Sequence, residues 1–463
     1  MDFNVALTCV MFTALAACYG WGMRGAVIGG EKGAMLPGAF IGLALAWFSG
    51  GAIRENFWIP AAVGLMGMTF GGTEPYGETI GFVLHKGGAD YNRKKGYFGL
   101  AFKGALWFAV CGGFLGISFA SMAGEYKALE LILLCLLIPV ITAVGYRVFN
   151  MPYDKREKIY PKIFFSLTRR EEWGSNVALL LALVVFAAVK KDIFSLIMML
   201  FGFVFGAIGW CAAIRGYELA ALPLKNGRYL FGNLFHNGVI DGWKLMEYVL
   251  GAFGGLGLSL AFCIRYNDIK RYNTMIEANG RFGIDDYAKY LPVMTVACVA
   301  VVLAINVYQF ICDKNGKKLN GFLWDRIERP FYYAIPMIPV LLGSITSAKI
   351  MSIFMLVFVC AAKCVFDRFV DSKLLVFGQI VSLVFCAATL VGCFTDIYSP
   401  FILVVAGVVP YMIAEFVWAV WDNSQMGKSF GHLLRRTAFA TVYPCFAVQS
   451  VAVLLFAHKI FNF

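Results

Sequence analysis

Apolar runs long enough to cross a bilayer recur from one end of the chain to the other, and they constrain it more than any other feature. A spanning helix needs about 20 apolar residues. Such runs fall near 3–20, 34–49, 58–72, 98–121, 128–149, 175–189, 193–214, 244–264, 291–312, 332–347, 350–366, 374–394, 400–420 and 437–457. The third and tenth are short and can be re-entrant or merged, which would bring the number down to twelve. The sequence thus predicts an all-α fold, a polytopic integral membrane helical bundle of 12–14 transmembrane helices. The first run follows Met1-Asp2 directly and reads as a retained span.

Composition excludes the soluble alternatives. Of 463 residues, 60% are apolar and 15% charged, and mean hydropathy is +0.73. That is too apolar for a soluble enzyme, a nucleic-acid-binding module or a disordered chain. The net charge of +12 would suggest nucleic acid in a soluble protein. Here the basic residues fall between apolar runs, as in cytoplasmic loops that face anionic lipid. The 13 cysteines include no C-x-x-C and nearly all sit in apolar runs, and the four histidines are scattered, so no metal and no cofactor is expected.

With the N-terminus outside, the inner loops hold 26 Lys and Arg and the outer loops 11. This bias places the basic loops in the cytoplasm and the protein in the plasma membrane. Loop 265–290 is the exception, with five basic residues on the outer side, and a span miscounted nearby would move it. The polar insertion from Asn150 to Trp173 divides the chain into an N-terminal bundle (1–150) with Gly-rich breaks, a basic cytoplasmic loop (151–174) and a C-terminal bundle (175–463). That loop reads as a solvated topogenic segment, with partner docking as the other reading. Gly20-Trp21 with Arg24-Gly25 recurs as Gly209-Trp210 with Arg215-Gly216. Lys103 before Gly112-Gly113 recurs as Lys244 before Gly254-Gly255. Two weakly related bundles, common in carriers, would give this order, and so would chance in a Gly-rich chain.

Two Gly-rich breaks are where chemistry can sit. Residues 20–38 carry glycines around Trp21, Arg24, Glu31 and Lys32. Each glycine costs a helix interior about 1 kcal/mol relative to alanine, and unwound backbone at membrane depth is tolerated only in protein or beside a wet cavity. Free N–H groups beside Arg24 suit an anionic group; a tight cytoplasmic hairpin would explain the same charges. The second break, Thr69 to Gly81, contains Glu74, Pro75, Tyr76 and Glu78. On a helix starting at Pro75 the two glutamates lie near one face, where they would share a proton or hold a cation. The simpler reading is a helix capped by Thr73 with acids in its first turn. A third polar region, Arg215 to Asp241, brings Asn233, His236 and Asn237, which can bond a polar solute or merely form an interfacial loop.

Lys103, Glu247, Lys363 and Glu415 lie within apolar runs. Intramembrane charges point to function, although the first three are close enough to span ends to snorkel. The reading that unites these features is a secondary transporter, a symporter of a polar organic solute that an arginine would suit if it is anionic. Trp21, Arg24, Tyr76, Asn233 and Asn237 are its candidate solute-binding residues. Glu74, Glu78, Glu31 and Glu415 are candidates for coupling to H+ or Na+. Its expected partners are the lipid bilayer, a small-molecule solute and the coupling ion, with no nucleic acid. Two alternatives stay open: a flippase for a lipid-linked glycan or phospholipid, and a membrane-embedded acyl- or glycosyltransferase using His85 or Asp367 with Arg24. D-x-D, H-E-x-x-H and Walker patterns are absent, which weighs against an enzyme, while His85 with Asp90 and His236 with Asp241 have the H-x-x-x-x-D spacing and Gly427 to Gly431 reads G-x-S-x-G.

Overall fold

Apolar composition and polar caps together set the helices. The computed structural model describes residues 1–24, 30–84, 92–223, 227–229, 242–279, 289–315 and 332–355, with residues 420 and 427. Its helices begin with α1 (Phe3–Met23), α2 (Gly30–Gly33), α3 (Met35–Ser49), α4 (Gly51–Glu55) and α5 (Trp58–Gly72). They continue as α6 (Gly77–Val83), α7 (Arg93–Met122), α8 (Ala128–Phe149), α9 (Trp173–Val189) and α10 (Ile193–Ala221). Beyond these come α11 (Gly242–Ile264), α12 (Tyr266–Asn279), α13 (Leu291–Lys314), α14 (Met337–Leu341) and α15 (Ile345–Ile353). Among the described residues there is no strand, only an isolated bridge between Asp154 and Ile159. Side-chain caps mark several starts: Asp2 accepts from the Asn4 amide, Asn92 from that of Lys95 and Asp192 from that of Ser195.

Five of these helices, α1, α7, α8, α10 and α11, are long and apolar enough to cross a membrane. The ends of the first nine expected runs agree with observed helices to within a few residues, apart from longer extensions of α7 and α10. The tenth does not form one helix. Its stretch is split into α14 and α15 at Gly343, whose φ of +85° breaks the helical path. The expected runs beyond Met355 lie outside the described residues.

Packing closes six helices into a ring. α1 lies against α11, α11 against α10, α10 against α7, α7 against α5, α5 against α3, and α3 against α1. The hairpin of α8 and α9 covers the outer flank of α7, so the apolar span of α7 is buried throughout. Backbones approach closely where both helices offer glycine. A Cβ on Gly206 would run into the Gly104 carbonyl, and one on Gly104 into Trp210. Small residues of this kind are what allow membrane helices to meet without a hydrophobic driving force.

The connections gather at two ends. At the end where α1 begins, Cys263 contacts Met1, Asn273 Oδ1 accepts from the Ile53 amide at 2.9 Å, and Arg271 pairs with Glu125 at 2.8 Å. The basic stretch after Ile264 therefore stays at the N-terminal end as α12, with Arg265 held by Asp268 at 2.7 Å. A cavity of about 290 Å³ opens at this end between Asp192, Arg265, Arg271 and Tyr272. The other end holds Arg24 at the end of α1, the second Gly-rich break and the chain from 150 to 172.

Candidate functional site

The site forms where the chain between α5 and α6 leaves helical geometry. Glu74 precedes Pro75, which disfavours the helical conformation for the residue before it and lacks an N–H of its own. α5 therefore ends at Gly72 and α6 begins at Gly77. Thr73 does not cap α6; its hydroxyl donates back to the Phe70 carbonyl at 2.8 Å. The residues from Thr73 to Tyr76 are thereby delivered as irregular backbone against α1, α7 and α11. Lys103 lies ten residues into α7, which is about 15 Å along the helix. The break therefore meets α7 about five residues inside the apolar run that begins near 98.

Tyr76 closes one side of the site. The guanidinium of Arg24 sits 4.9 Å from the Trp21 ring, 5.1 Å from that of Tyr76 and 5.5 Å from that of Trp107. Its Nη1 donates to the Tyr76 hydroxyl at 2.7 Å and lies 3.9 Å from Glu247 Oε1. The same hydroxyl donates to Glu247 Oε1 at 3.0 Å. Burial drives the Tyr76 phenol upward against the pull of Arg24, so it stays protonated. Trp21 stacks on Trp107 at 5.1 Å, Trp210 meets Trp107 at 5.7 Å and Tyr76 at 5.1 Å, and Trp243 covers Tyr76 at 5.9 Å. Trp243 is 40% exposed and so stands between this cluster and the end of the bundle. The indole N–H groups of Trp21, Trp107 and Trp210 are buried and make no hydrogen bond.

Lys103 closes the other side. It is fully buried, so it does not snorkel. Its ammonium donates to the Pro75 carbonyl and to Glu171 Oε1, both at 2.6 Å, and to Thr79 Oγ1 at 3.1 Å, with Glu74 Oε2 at 3.9 Å. Glu171 belongs to the polar insertion before α9, and its Oε2 accepts from the Phe165 amide at 2.7 Å. Thr79 Oγ1 donates to the Phe165 carbonyl, and Phe165 packs with Leu106 and Trp173. The chain around 165–172 is therefore a folded wall of the site, whereas Lys155 to Ile159 is solvated as the sequence suggested.

Glu74 and Glu78 do not share one environment. Glu78 accepts from Ser166 Oγ at 2.5 Å and from Thr168 N and Oγ1 at 2.9 Å. Its partial burial would raise its pKa, but these donors outweigh that and hold it below the usual carboxylate range. Glu74 is buried in the break, outside the spanning helices, and neither of its oxygens closes a hydrogen bond of ordinary geometry. Burial pushes its pKa well above the usual range, Lys103 opposes this, and the nearby charges of Glu171 and Glu172 reinforce it. The Glu172 backbone adds a smaller opposing pull.

Of the expected site residues, Trp21, Arg24 and Tyr76 come together and Glu74 lies beside them. The backbone of Glu31 is in α2, but its side chain lies outside the described residues. Asn233, Asn237 and Glu415 lie outside them as well, as do His85, His236, Lys363 and Asp367. Sequence reasoning left Glu247 and Lys103 as charges that could snorkel, and it missed Glu171, Glu172, Trp107 and Trp210. Among the described residues no group of three His, Cys, Asp or Glu could hold a metal ion.

These features define an integral multi-pass membrane protein of the helical-bundle class, with ionisable and aromatic side chains buried at a helix break. No family model, no curated protein and no solved structure matches the chain.

Proposed function

We propose that the protein is a proton-coupled carrier of a polar organic solute, set in the plasma membrane with its basic loops in the cytoplasm. One observation carries the reading: three consecutive residues of a helix break join two buried charge networks. Glu74 and the Pro75 carbonyl face Lys103, while Tyr76 bonds Arg24 and Glu247. Interrupted helices whose freed backbone lies among charges are the sites at which carriers bind solute and ion. Arg24, Trp21 and Tyr76 form the solute side. Glu74 forms the ion side, and a proton suits it better than Na+ because its nearest charged partner is an ammonium rather than a cage of oxygens.

The coupling is a contest for one lysine. With Glu74 protonated, Lys103 belongs to Glu171 and the 165–172 wall is held in place. When Glu74 loses its proton it attracts Lys103, and the wall loses its main ionic anchor. The Gly-lined contacts of α1 with α11 and of α7 with α10 then permit one half to rock against the other.

The test is uptake into proteoliposomes under an inward proton gradient, using labelled gluconate, lactate, phosphate and glucose. At least one solute should accumulate. Glu74→Gln should abolish accumulation yet retain exchange of solute for solute, because it mimics the protonated state. Glu78→Gln should still accumulate. Equal accumulation by Glu74→Gln, or no solute whose uptake follows the gradient, would remove the reading.

A further inference from the structure

We infer that the ligand of this site is an oxyanion, a carboxylate or phosphate group whose oxygens accept from the buried indoles beside Arg24. The inference rests on the solute-site reading of the Arg24 side and adds the ligand's chemistry.

Trp21, Trp107 and Trp210 are each fully buried, and none of their Nε1–H groups has an acceptor. Trp173, away from this cluster among Phe102, Phe149 and Phe165, also has a buried indole without an acceptor, and a single orphan donor of that kind is an ordinary imperfection, since the great majority of buried polar groups are paired. Three in one cluster are not, because a buried N–H without a partner is costly and an apolar ring would avoid that cost. The three come from different helices, α1, α7 and α10, and their rings form one contiguous set around Tyr76 and the Arg24 guanidinium. Indole N–H and guanidinium groups donate and never accept. The free hydrogen-bonding capacity of the indoles is thus entirely donor capacity, and it lies beside the Arg24 guanidinium, whose carboxylate partner Glu247 stands off at 3.9 Å, beyond direct hydrogen-bond distance. An oxyanion supplies several acceptor lone pairs and a negative charge at once. A quaternary ammonium would also suit an aromatic cluster, but the ring faces of Trp21, Tyr76 and Trp107 already hold Arg24 and the N–H groups would gain nothing. A neutral polyol would use the donors but not the charge.

The test is ligand binding by the full chain in detergent, read by tryptophan fluorescence and by thermal stabilisation. The probes are gluconate, inorganic phosphate, myo-inositol and choline. Gluconate or phosphate should bind saturably, and which of the two does so identifies an organic or an inorganic source. Inositol and choline should bind at least tenfold more weakly. Trp107→Phe and Trp210→Phe keep an aromatic ring, though a smaller one, and delete the donor, so each should weaken oxyanion binding about tenfold or more, as expected for a hydrogen bond to a charged group. Each unliganded variant should melt somewhat lower, because the smaller ring leaves a cavity in the packed cluster, so affinities are compared at a temperature where every variant is folded. A merely structural tryptophan would lose stability without losing affinity for the oxyanion. Saturable binding of inositol or choline at oxyanion strength, no binding of either oxyanion, or unchanged affinity in both variants would overturn the inference. Oxyanion binding without gradient-driven uptake would spare it and remove the carrier reading. Gradient-driven uptake of glucose with no oxyanion binding would do the opposite.

Discussion

Replacing Lys103 by methionine keeps most of the length of the side chain and removes its charge. In the native site its ammonium donates to Glu171 and Pro75 at 2.6 Å each and to Thr79 at 3.1 Å, with no exposure to solvent. Lys103→Met strips Glu171 of its buried counter-charge, and removing one partner of a buried pair costs about 3–5 kcal/mol. The Pro75 carbonyl also loses its donor, adding about 1–3 kcal/mol if nothing replaces it. Glu171→Gln should cost less, roughly 1–2 kcal/mol, because its amide oxygen can still accept from Lys103 and Glu74 stands in reserve at 3.9 Å. The double variant Lys103→Met/Glu171→Gln has no orphaned charge at this pair. It should therefore be more stable than the sum of the single effects by about 2 kcal/mol, within the range seen for residues in one network. Equilibrium unfolding in mixed micelles, followed by tryptophan fluorescence, measures all three. Additivity to within about 0.5 kcal/mol would mean that Lys103 and Glu171 do not hold each other, and the wall formed by 165–172 would lose its stated cause.

Three further outcomes follow from the same geometry. Glu74 has a folded pKa above its unfolded one, so its ionisation opposes folding increasingly as pH rises above about 4.5. Glu74→Gln should melt higher than the wild type at pH 8, with the difference shrinking toward pH 4.5; a constant difference would contradict a protonated Glu74. For Glu78 the sign is opposite: its folded pKa is depressed, so its anchoring of Ser166 and Thr168 is complete above about pH 4.5 and is lost as pH falls below that. The melting difference between wild type and Glu78→Gln should therefore fade at low pH, and its persistence there would refute the assignment. Gly206→Leu places a side chain against the Gly104 carbonyl, where overpacking typically costs about 1–3 kcal/mol; an unchanged melting temperature would show that α7 and α10 are not in close contact.

The bundle was legible in the sequence because bilayer thickness imposes a length on apolar runs, and that length survives any detail of packing. α8 begins and ends where its run does. α7 extends below its run because Asn92 caps a turn rich in lysine and arginine that composition alone assigns to a loop. The site was half legible. Glycine and proline mark where helices must break, and so they located Arg24, Tyr76 and Glu74. They could not say which carboxylate meets which base. Glu171 reaches Lys103 across 68 residues of chain, from a stretch whose charges read as solvated. One signal was available: Phe164-Phe165 interrupts that polar loop, and two glutamates directly precede Trp173 at the start of a span. Trp107 and Trp210 were indistinguishable from packing residues, because an indole without an acceptor is visible only in three dimensions.

Coupling is reciprocal, so the most direct test of the account omits any imposed proton gradient. Proteoliposomes loaded with a pH-sensitive dye and held at equal pH inside and out would be given external gluconate, lactate, phosphate or glucose. The account predicts that one transported solute acidifies the lumen in wild type and in Glu78→Gln, and that Glu74→Gln carries that solute without moving protons. Solute entry with no change in lumen pH in the wild type, or unchanged acidification in Glu74→Gln, would contradict it.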